Sequence, residues 1–136
     1  MRVVLADDSP LILERIEEMV SMEGVQILGS YNNGTDMLKA LRTLKPDLAI
    51  VDIKMPGLTG LEVLSEIRKE DKDLKFIVLT LFSTEYYRQI AMERGADYFF
   101  SKVDDFEKIA PLLRIMQDRE NTLKKYLGKG EVENSK

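Results

Sequence analysis

Residues 46–67 read PDLAIVDIKMPGLTGLEVLSEI, and the order of residue types in this stretch decides the fold. Leu48-Ala49-Ile50-Val51 is a continuous apolar run that stops on Asp52. A strand covered on both faces reads this way, whereas a half-exposed strand alternates apolar and polar residues. Met55-Pro56-Gly57 then supplies turn chemistry. From Leu58 to Lys69 the apolar positions change period, with Leu61, Leu64 and Ile67 on one helical side. One strand, one loop and one helix therefore follow in order, with an acid where strand becomes loop.

The same unit recurs along the chain. Apolar runs appear at Val3-Val4-Leu5-Ala6, Val25-Gln26-Ile27-Leu28, Phe76-Ile77-Val78-Leu79 and Tyr98-Phe99-Phe100. Ser9-Pro10 opens a first helix, a Ser cap with Pro at the first helical position. Ile12, Ile16, Met19 and Val20 line one face of that helix, and Gly24 lies past its end. A second helix is expected from Thr35 to Leu44, with Leu38, Leu41 and Leu44 inward, ending before Pro46. A fourth starts at Ser83-Thr84, carries Tyr87, Ile90 and Ala91, and closes at Gly95. The fifth opens at Asp104, with Glu107 completing a capping box, and runs to about Leu127. Five βα units in series imply an α/β doubly wound parallel sheet with right-handed crossovers.

A length of 136 residues suits one domain. With no Cys and no His, the chain has no thiolate nucleophile, no imidazole base and no Ser-His-Asp triad. Lys and Arg number 20 against 24 Asp and Glu, a net charge of −4 that argues against direct DNA binding by this surface. The opening MRVVLADDSP is no signal peptide, and no apolar run approaches the ~18 residues of a membrane span, so a cytoplasmic protein without membrane contact is expected.

In open α/β sheets ligands bind beyond the carboxyl ends of the strands. Those ends carry Asp7-Asp8, Asp52, Thr80 and Ser101-Lys102, while the second strand ends in the uncharged Ser30-Tyr31. Three carboxylates brought together raise one another's pKa or recruit a cation. Oxygen ligands without nitrogen or sulfur suit Mg²⁺ (or Mn²⁺). A carboxylate can also attack phosphorus to give an aspartyl phosphate, while a hydroxyl and an ammonium neutralise charge on the transferring group. Taken singly, each residue has a plainer reading. Asp7-Asp8 favours a helix N-terminus, Thr80 ends a strand, and Phe99 sits in an apolar run.

The segments VLADDSP, VDIKMPGLTGLEVL and GADYFFSK, with Thr80 between the last two, resemble the response-regulator receiver domain of bacterial two-component signalling, the CheY-like family. The resemblance covers roughly residues 1–125 and implies a flavodoxin-like sheet in strand order 2-1-3-4-5. It implies that Asp52 is the phosphoacceptor, that Asp7, Asp8, Asp52 and the backbone carbonyl of Lys54 hold Mg²⁺, and that Thr80 and Lys102 contact the phosphoryl oxygens. Phe99 falls at the family's switch aromatic. The implied partners are a sensor histidine kinase or phosphotransfer protein and an effector, with a homodimer through the helix 4–strand 5–helix 5 face as a further candidate. The chain is then a switch that assists its own phosphorylation and dephosphorylation, not an enzyme in the usual sense. A degenerate receiver acting as a binding module and a Mg²⁺-dependent aspartyl-phosphate phosphohydrolase are the alternatives.

Three positions depart from the family pattern. Leu81 stands where a small residue usually follows the strand-four Thr, Val103 replaces the usual Pro after the strand-five Lys, and Phe99 lacks the hydroxyl of the commoner Tyr. No output domain follows, so the expected domains are a receiver over 1–127 and a flexible tail over 128–136. About 13–14 residues of helix cover a sheet, and Asp104 to Leu127 is 24 residues, so the last turns are expected to project.

Overall fold

The computed structural model describes residues 1–134, with side chains through Leu127. Five strands, β1 (Arg2–Ala6), β2 (Gln26–Tyr31), β3 (Leu48–Val51), β4 (Lys75–Thr80) and β5 (Tyr98–Ser101), form one parallel sheet in the order β2-β1-β3-β4-β5. They alternate with α1 (Pro10–Ser21), α2 (Gly34–Leu44), α3 (Gly60–Arg68), α4 (Glu85–Glu93) and α5 (Ile109–Asn134). The sequence order reverses between β1 and β3, and a crevice opens there at the carboxyl end.

The continuous apolar runs follow from two cores, one on each face. Val4, Ala6, Ala49, Val51, Phe76 and Val78 point to the side carrying α2, α3 and α4. Their neighbours Val3, Leu5, Leu48, Ile50, Ile77 and Leu79 point to the side carrying α1 and α5. Successive strand residues face opposite sides, so both alternate sets must be apolar. The expected helical faces are buried at Ile16, Val20, Leu38, Leu41, Leu61, Leu64, Ile67 and Ala91, and Met37 and Ala40 join them.

Helix starts lie at side-chain caps that satisfy free N–H groups. Ser9 Oγ accepts from Ile12 N–H at 3.4 Å, and Asn33 Oδ1 from Asp36 N–H at 2.8 Å. Thr59 and Glu62 form a capping box, with bonds of 3.2 and 3.0 Å, so α3 starts at Gly60 and not at the expected Leu58. The capping box expected at Asp104 does not form. A 3₁₀ turn, Phe106–Lys108, precedes α5 instead. Asp105 takes over the local hydrogen bonding, accepting from Ser101 N–H at 2.9 Å and pairing with Lys108 at 2.6 Å. Those two contacts tie the loop back to β5 and postpone the helix.

Ile109 and Leu113 at the start of α5 are fully buried and Met116 partly so, while Leu123, Tyr126 and Leu127 are exposed. The helix therefore runs past the sheet. Arg114 on α5 holds Glu23, with Nε 2.6 Å from Oε1, and fixes it against the α1–β2 turn. The tail expected over 128–136 falls outside the described side chains, and 135–136 outside the description altogether.

Gly60 sits where α3 starts against the end of β3, its N–H donating to the Ile53 carbonyl at 2.8 Å. A Cβ at this position would collide with the Asp52 carbonyl oxygen, which is backbone and has no rotamer to yield. Gly24 has open space around it and needs glycine only for its φ of +75°. Gly60→Ala should therefore cost about 3 kcal/mol or more as overpacking, and Gly24→Ala only ~1–2 kcal/mol as left-handed strain. Urea melts of the two variants check the order; equal losses would mean that the α3–β3 approach is slack.

Candidate functional site

Parallel pairing continues one residue beyond the strands and sets the polar residues side by side. Asp7 N–H donates to the Tyr31 carbonyl, Asp52 N–H to Ala6 and Lys102 N–H to Thr80, each at 3.0 Å. The three side chains consequently leave the ends of β1, β3 and β5 on one edge, where the apolar runs stop. Thr80 is the last residue of β4 and is fully buried, paired in register with Ser101.

One ammonium joins the group. Lys102 Nζ lies 2.6 Å from Asp7 Oδ2 and 2.9 Å from Asp52 Oδ2, with a side chain only 5% exposed. The other carboxylate oxygens are held by backbone: Ser9 N–H reaches Asp7 Oδ1 at 2.9 Å, and Ile53 N–H reaches Asp52 Oδ1 at 2.7 Å. The contact of Lys102 with Asp7 Oδ2 is ionic in distance but not aligned as a hydrogen bond, which leaves that buried oxygen without a donor. Burial raises the Asp7 carboxyl pKa above its ordinary 3.8, against the lowering effects of Lys102 and the Ser9 N–H, and the neighbouring Asp52 adds to the rise. Burial works against the Lys102 charge, but the nearby carboxylates of Asp7 and Asp52 outweigh it and raise its pKa above its ordinary 10.5.

Asp8 is exposed, and an oxygen from each of Asp7, Asp8 and Asp52 falls within 4.8 Å of the others. This donor set fits a hard divalent cation. Three carboxylates with one ammonium carry a formal −2, and Asp7 Oδ2, though close to Lys102, is a buried oxygen with no aligned hydrogen-bond donor. Phe99 is buried in the core on the α2–α4 side, beside Ala91 and Ala96, so the aromatic at the switch position points inward. Leu81 is 63% exposed and Val103 77%, both beside the strand-end cluster in sequence. The loop after β5 owes its shape to Ser101 and Asp105. Ser101 Oγ accepts from Val103 and Asp104 N–H at 3.2 and 3.3 Å, and together with Asp105 it turns the chain immediately after Lys102. Sequence reasoning passed over Asp105; its spacing of four residues from Ser101 is the signal that marks it. A hollow of about 470 Å³, lined by Pro46, Leu74, Tyr98, Ile115 and Leu123, lies away from this cluster and contains none of its carboxylates.

The sequence model of the response regulator receiver domain matches residues 3–114. The chain belongs to that family. Receiver domains are signalling proteins of two-component systems. The chain is 32% identical to the response regulator GacA of Pseudomonas aeruginosa over 115 residues, which are 84% of this chain and 54% of GacA. To the DNA-binding transcriptional activator EvgA of Escherichia coli K12 it is 28% identical over 109 residues, 80% of this chain and 53% of EvgA. Among solved structures, CheY in the CheX–CheY–BeF₃–Mg²⁺ complex of Borrelia burgdorferi superposes with a TM-score of 0.78 at 25% identity, over 86% of this chain and 87% of that one. The chain spans about half the length of the curated relatives it matches. Its acidic charge thus describes a receiver region alone, and with EvgA among the relatives the expectation of no DNA contact finds no support. Among the described residues of this receiver no helix is long and apolar enough to cross a membrane.

A pKa raised in the folded state gives stability that is present below the unfolded value and lost as pH rises through the folded one. Without divalent cation, the Asp7 contribution to stability should accordingly be lost as pH rises from below 3.8 through its raised value, against the opposite trend from Glu23, Glu66 and Asp105, whose pKa values are lowered. Asp7→Asn should flatten that decline, and Mg²⁺ should restore stability to the unaltered protein more than to the variant. Urea midpoints across this pH range, with EDTA or Mg²⁺, check both; a decline of the same size in Asp7→Asn would move its source elsewhere.

Proposed function

We propose that the chain is a phosphorylation-dependent switch whose acceptor is Asp52. The observation that carries this reading is the Lys102 ammonium, 2.6 and 2.9 Å from the carboxylates of Asp7 and Asp52 at the carboxyl edge of the sheet. Transfer forms a bond from an Asp52 carboxylate oxygen to phosphorus. The phosphorus–nitrogen bond of a phosphohistidine breaks, and the imidazole leaves with its electron pair. Because this chain has no His, that donor belongs to another protein: a sensor histidine kinase or a phosphotransfer protein.

Asp7, Asp8, Asp52 and the Lys54 carbonyl are the residues to hold Mg²⁺ (or Mn²⁺). When bound, the ion neutralises charge on the transferring phosphoryl and on the carboxylates around it. Lys102 remains beside Asp52 and takes a phosphoryl oxygen in place of a carboxylate oxygen, while Thr80 donates its hydroxyl to another. These groups are what let the domain assist its own phosphorylation and dephosphorylation. An aspartyl phosphate adds about one negative charge and new acceptor oxygens to a cluster that is already acidic. Drawing Thr80 toward them shifts the loop after β4 and frees space for Phe99, and the α4–β5–α5 face changes with it. An effector, or a second copy of the chain, reads that face. A population shift of this kind needs only that the phosphoryl bind one state better than the other.

A phosphohydrolase of the aspartyl-phosphate kind is less well supported, because the second residue after Asp52 is Lys54 and not an acid. Acetyl phosphate with Mg²⁺ should add one phosphoryl mass to the protein, none to Asp52→Asn, and none in the presence of EDTA. Thr80→Ala should still take the label but respond less at Phe99 and on α4, read by amide chemical shifts with and without beryllofluoride. Full labelling of Asp52→Asn would place the acceptor elsewhere. No labelling of the unaltered protein would favour a binding module that works without phosphorylation.

A further inference from the structure

The loops after β3 and β4 meet through two side chains that the phosphoryl chemistry described above does not use. Lys54 Nζ lies 5.0 Å from the centroid of the Phe82 ring. Among the described residues Lys54 forms no ion pair, so the ring face is the partner its ammonium has. Phe82 is held a second time through its backbone, its N–H donating to Thr80 Oγ1 at 3.0 Å. The ring then meets Tyr87 edge-on, with centroids 5.9 Å apart, and Tyr87 meets Tyr86 at 5.3 Å. A row of aromatic contacts thus runs from the loop after Asp52 to α4, where Tyr86 is 68% exposed.

The plain reading is that a loop aromatic rests on the nearest helix and a lysine stem rests on the aromatic. At 38% exposure such a contact is weak. Against that stands the identity of the two groups that hold Phe82. One is a cation two residues beyond Asp52, and the other is the strand-end hydroxyl of Thr80. A new anionic group on Asp52 would attract that ammonium and draw that hydroxyl toward itself.

We propose that Phe82 is a latch across the mouth of the acceptor site, closed by the Lys54 ammonium and the Thr80 hydroxyl, and opened when a phosphoryl group on Asp52 takes both. The proposal rests on Asp52 as the acceptor. An ammonium gains more from a phosphoryl oxygen than from a ring quadrupole, because the hydrogen bond is assisted by charge on both partners. A Thr80 hydroxyl can donate its proton and still accept, so the bond from Phe82 N–H is lost when the Thr80 side chain is drawn bodily toward the phosphoryl and Oγ1 leaves that donor to water. Released by Lys54 and Thr80, the ring leaves Tyr87, so α4 feels the change through the aromatic row as well as through Phe99. Closed, the latch keeps the Phe82 ring against the loop that follows Asp52 and slows entry there. Lys54 is therefore a positioning residue: its side chain acts on the acceptor through Phe82.

Lys54 ε-methylene protons over a ring are shifted upfield, and this reads the latch directly. In protein carrying ¹³C-lysine, with the signal assigned by its loss in Lys54→Arg, we expect an upfield position in the free protein and an ordinary one in Phe82→Leu. Beryllofluoride with Mg²⁺ should return it to the ordinary position in the unaltered protein. Phe82→Leu and Lys54→Met should each speed acetyl-phosphate labelling about two- to fivefold, the factor an exposed cation–π contact is worth. The double variant should be no faster than either, and Phe82→Tyr should restore the original rate. An ordinary Lys54 shift in the free protein, or additive rates in the double variant, would overturn the latch. An upfield shift that persists once Asp52 is labelled would overturn its opening. Failure to label Asp52 at all would overturn the acceptor reading and the opening step together, and the free-protein shift would still report the closed contact separately.

Discussion

A single buried ammonium between two carboxylates is the interaction on which the rest of this molecule turns. Lys102 lies at the end of β5, Asp52 at the end of β3 and Asp7 at the end of β1, so three elements far apart in sequence must finish at the same height for the ammonium to reach both acids. The parallel register sets that height. Ala6 pairs with Val51, Val51 with Val78, and Thr80 with Ser101, and the residues that follow Ala6, Val51 and Ser101 are the charged ones. A slip of one residue in β1 or β3 would send its acid into a core face. The apolar cores on both sides enforce the register, and the polar edge uses it.

The charge at this edge is not balanced. Asp7 keeps one oxygen without a hydrogen-bond donor, and burial raises its pKa even with Lys102 beside it. A cluster selected only for stability would have replaced the acids with apolar groups, because buried ion pairs seldom repay their desolvation. Residual negative charge is what a site for a divalent cation requires. The same residual charge limits how an added phosphoryl group can be accommodated. Groups able to move toward it, Thr80 and the loop behind it, must do so. If Asp52 is the acceptor, as we propose, the architecture would couple its chemistry to the β4–α4 loop by electrostatics before any particular switch residue is considered.

Most of the fold was legible because its signals are local. The two-sided strands read as continuous apolar runs, Ser9-Pro10 marked the start of α1, and the helical periods located the buried faces of α1, α2 and α3. Ends were less legible where a competing local bond decided them. Thr59 was unremarkable as a loop residue until Glu62 closed a capping box on it, and Asp105 displaced Asp104 because Ser101 and Lys108 both engage it. At the site, strand-end positions put Asp7, Asp52, Thr80 and Lys102 on one edge from sequence alone. What the sequence withheld was through-space contact between loops. Nothing in the spacing of Lys54 and Phe82 announces a 5.0 Å cation–π contact, since it depends on two loops converging across adjacent strands.

The departures from the family pattern acquire a physical meaning from this placement. Phe99 is buried against Ala91 and Ala96, without a hydroxyl that would seek water, so nothing polar pulls it outward when space opens. Its inward position is then the resting one, and in the proposed switch any movement of Phe99 would depend on the β4–α4 loop making room. That loop carries Leu81 and Phe82, bulkier and more apolar than a loop above an anionic site needs. An aromatic with two handholds, the ammonium of Lys54 and the hydroxyl of Thr80, couples the loop to charge in a way that an inert small residue would not. In the latch we propose, the same apolar bulk would narrow access to Asp52 and carry charge at Asp52 to α4. Slower entry and a second route for the signal would then be two consequences of the same side chain.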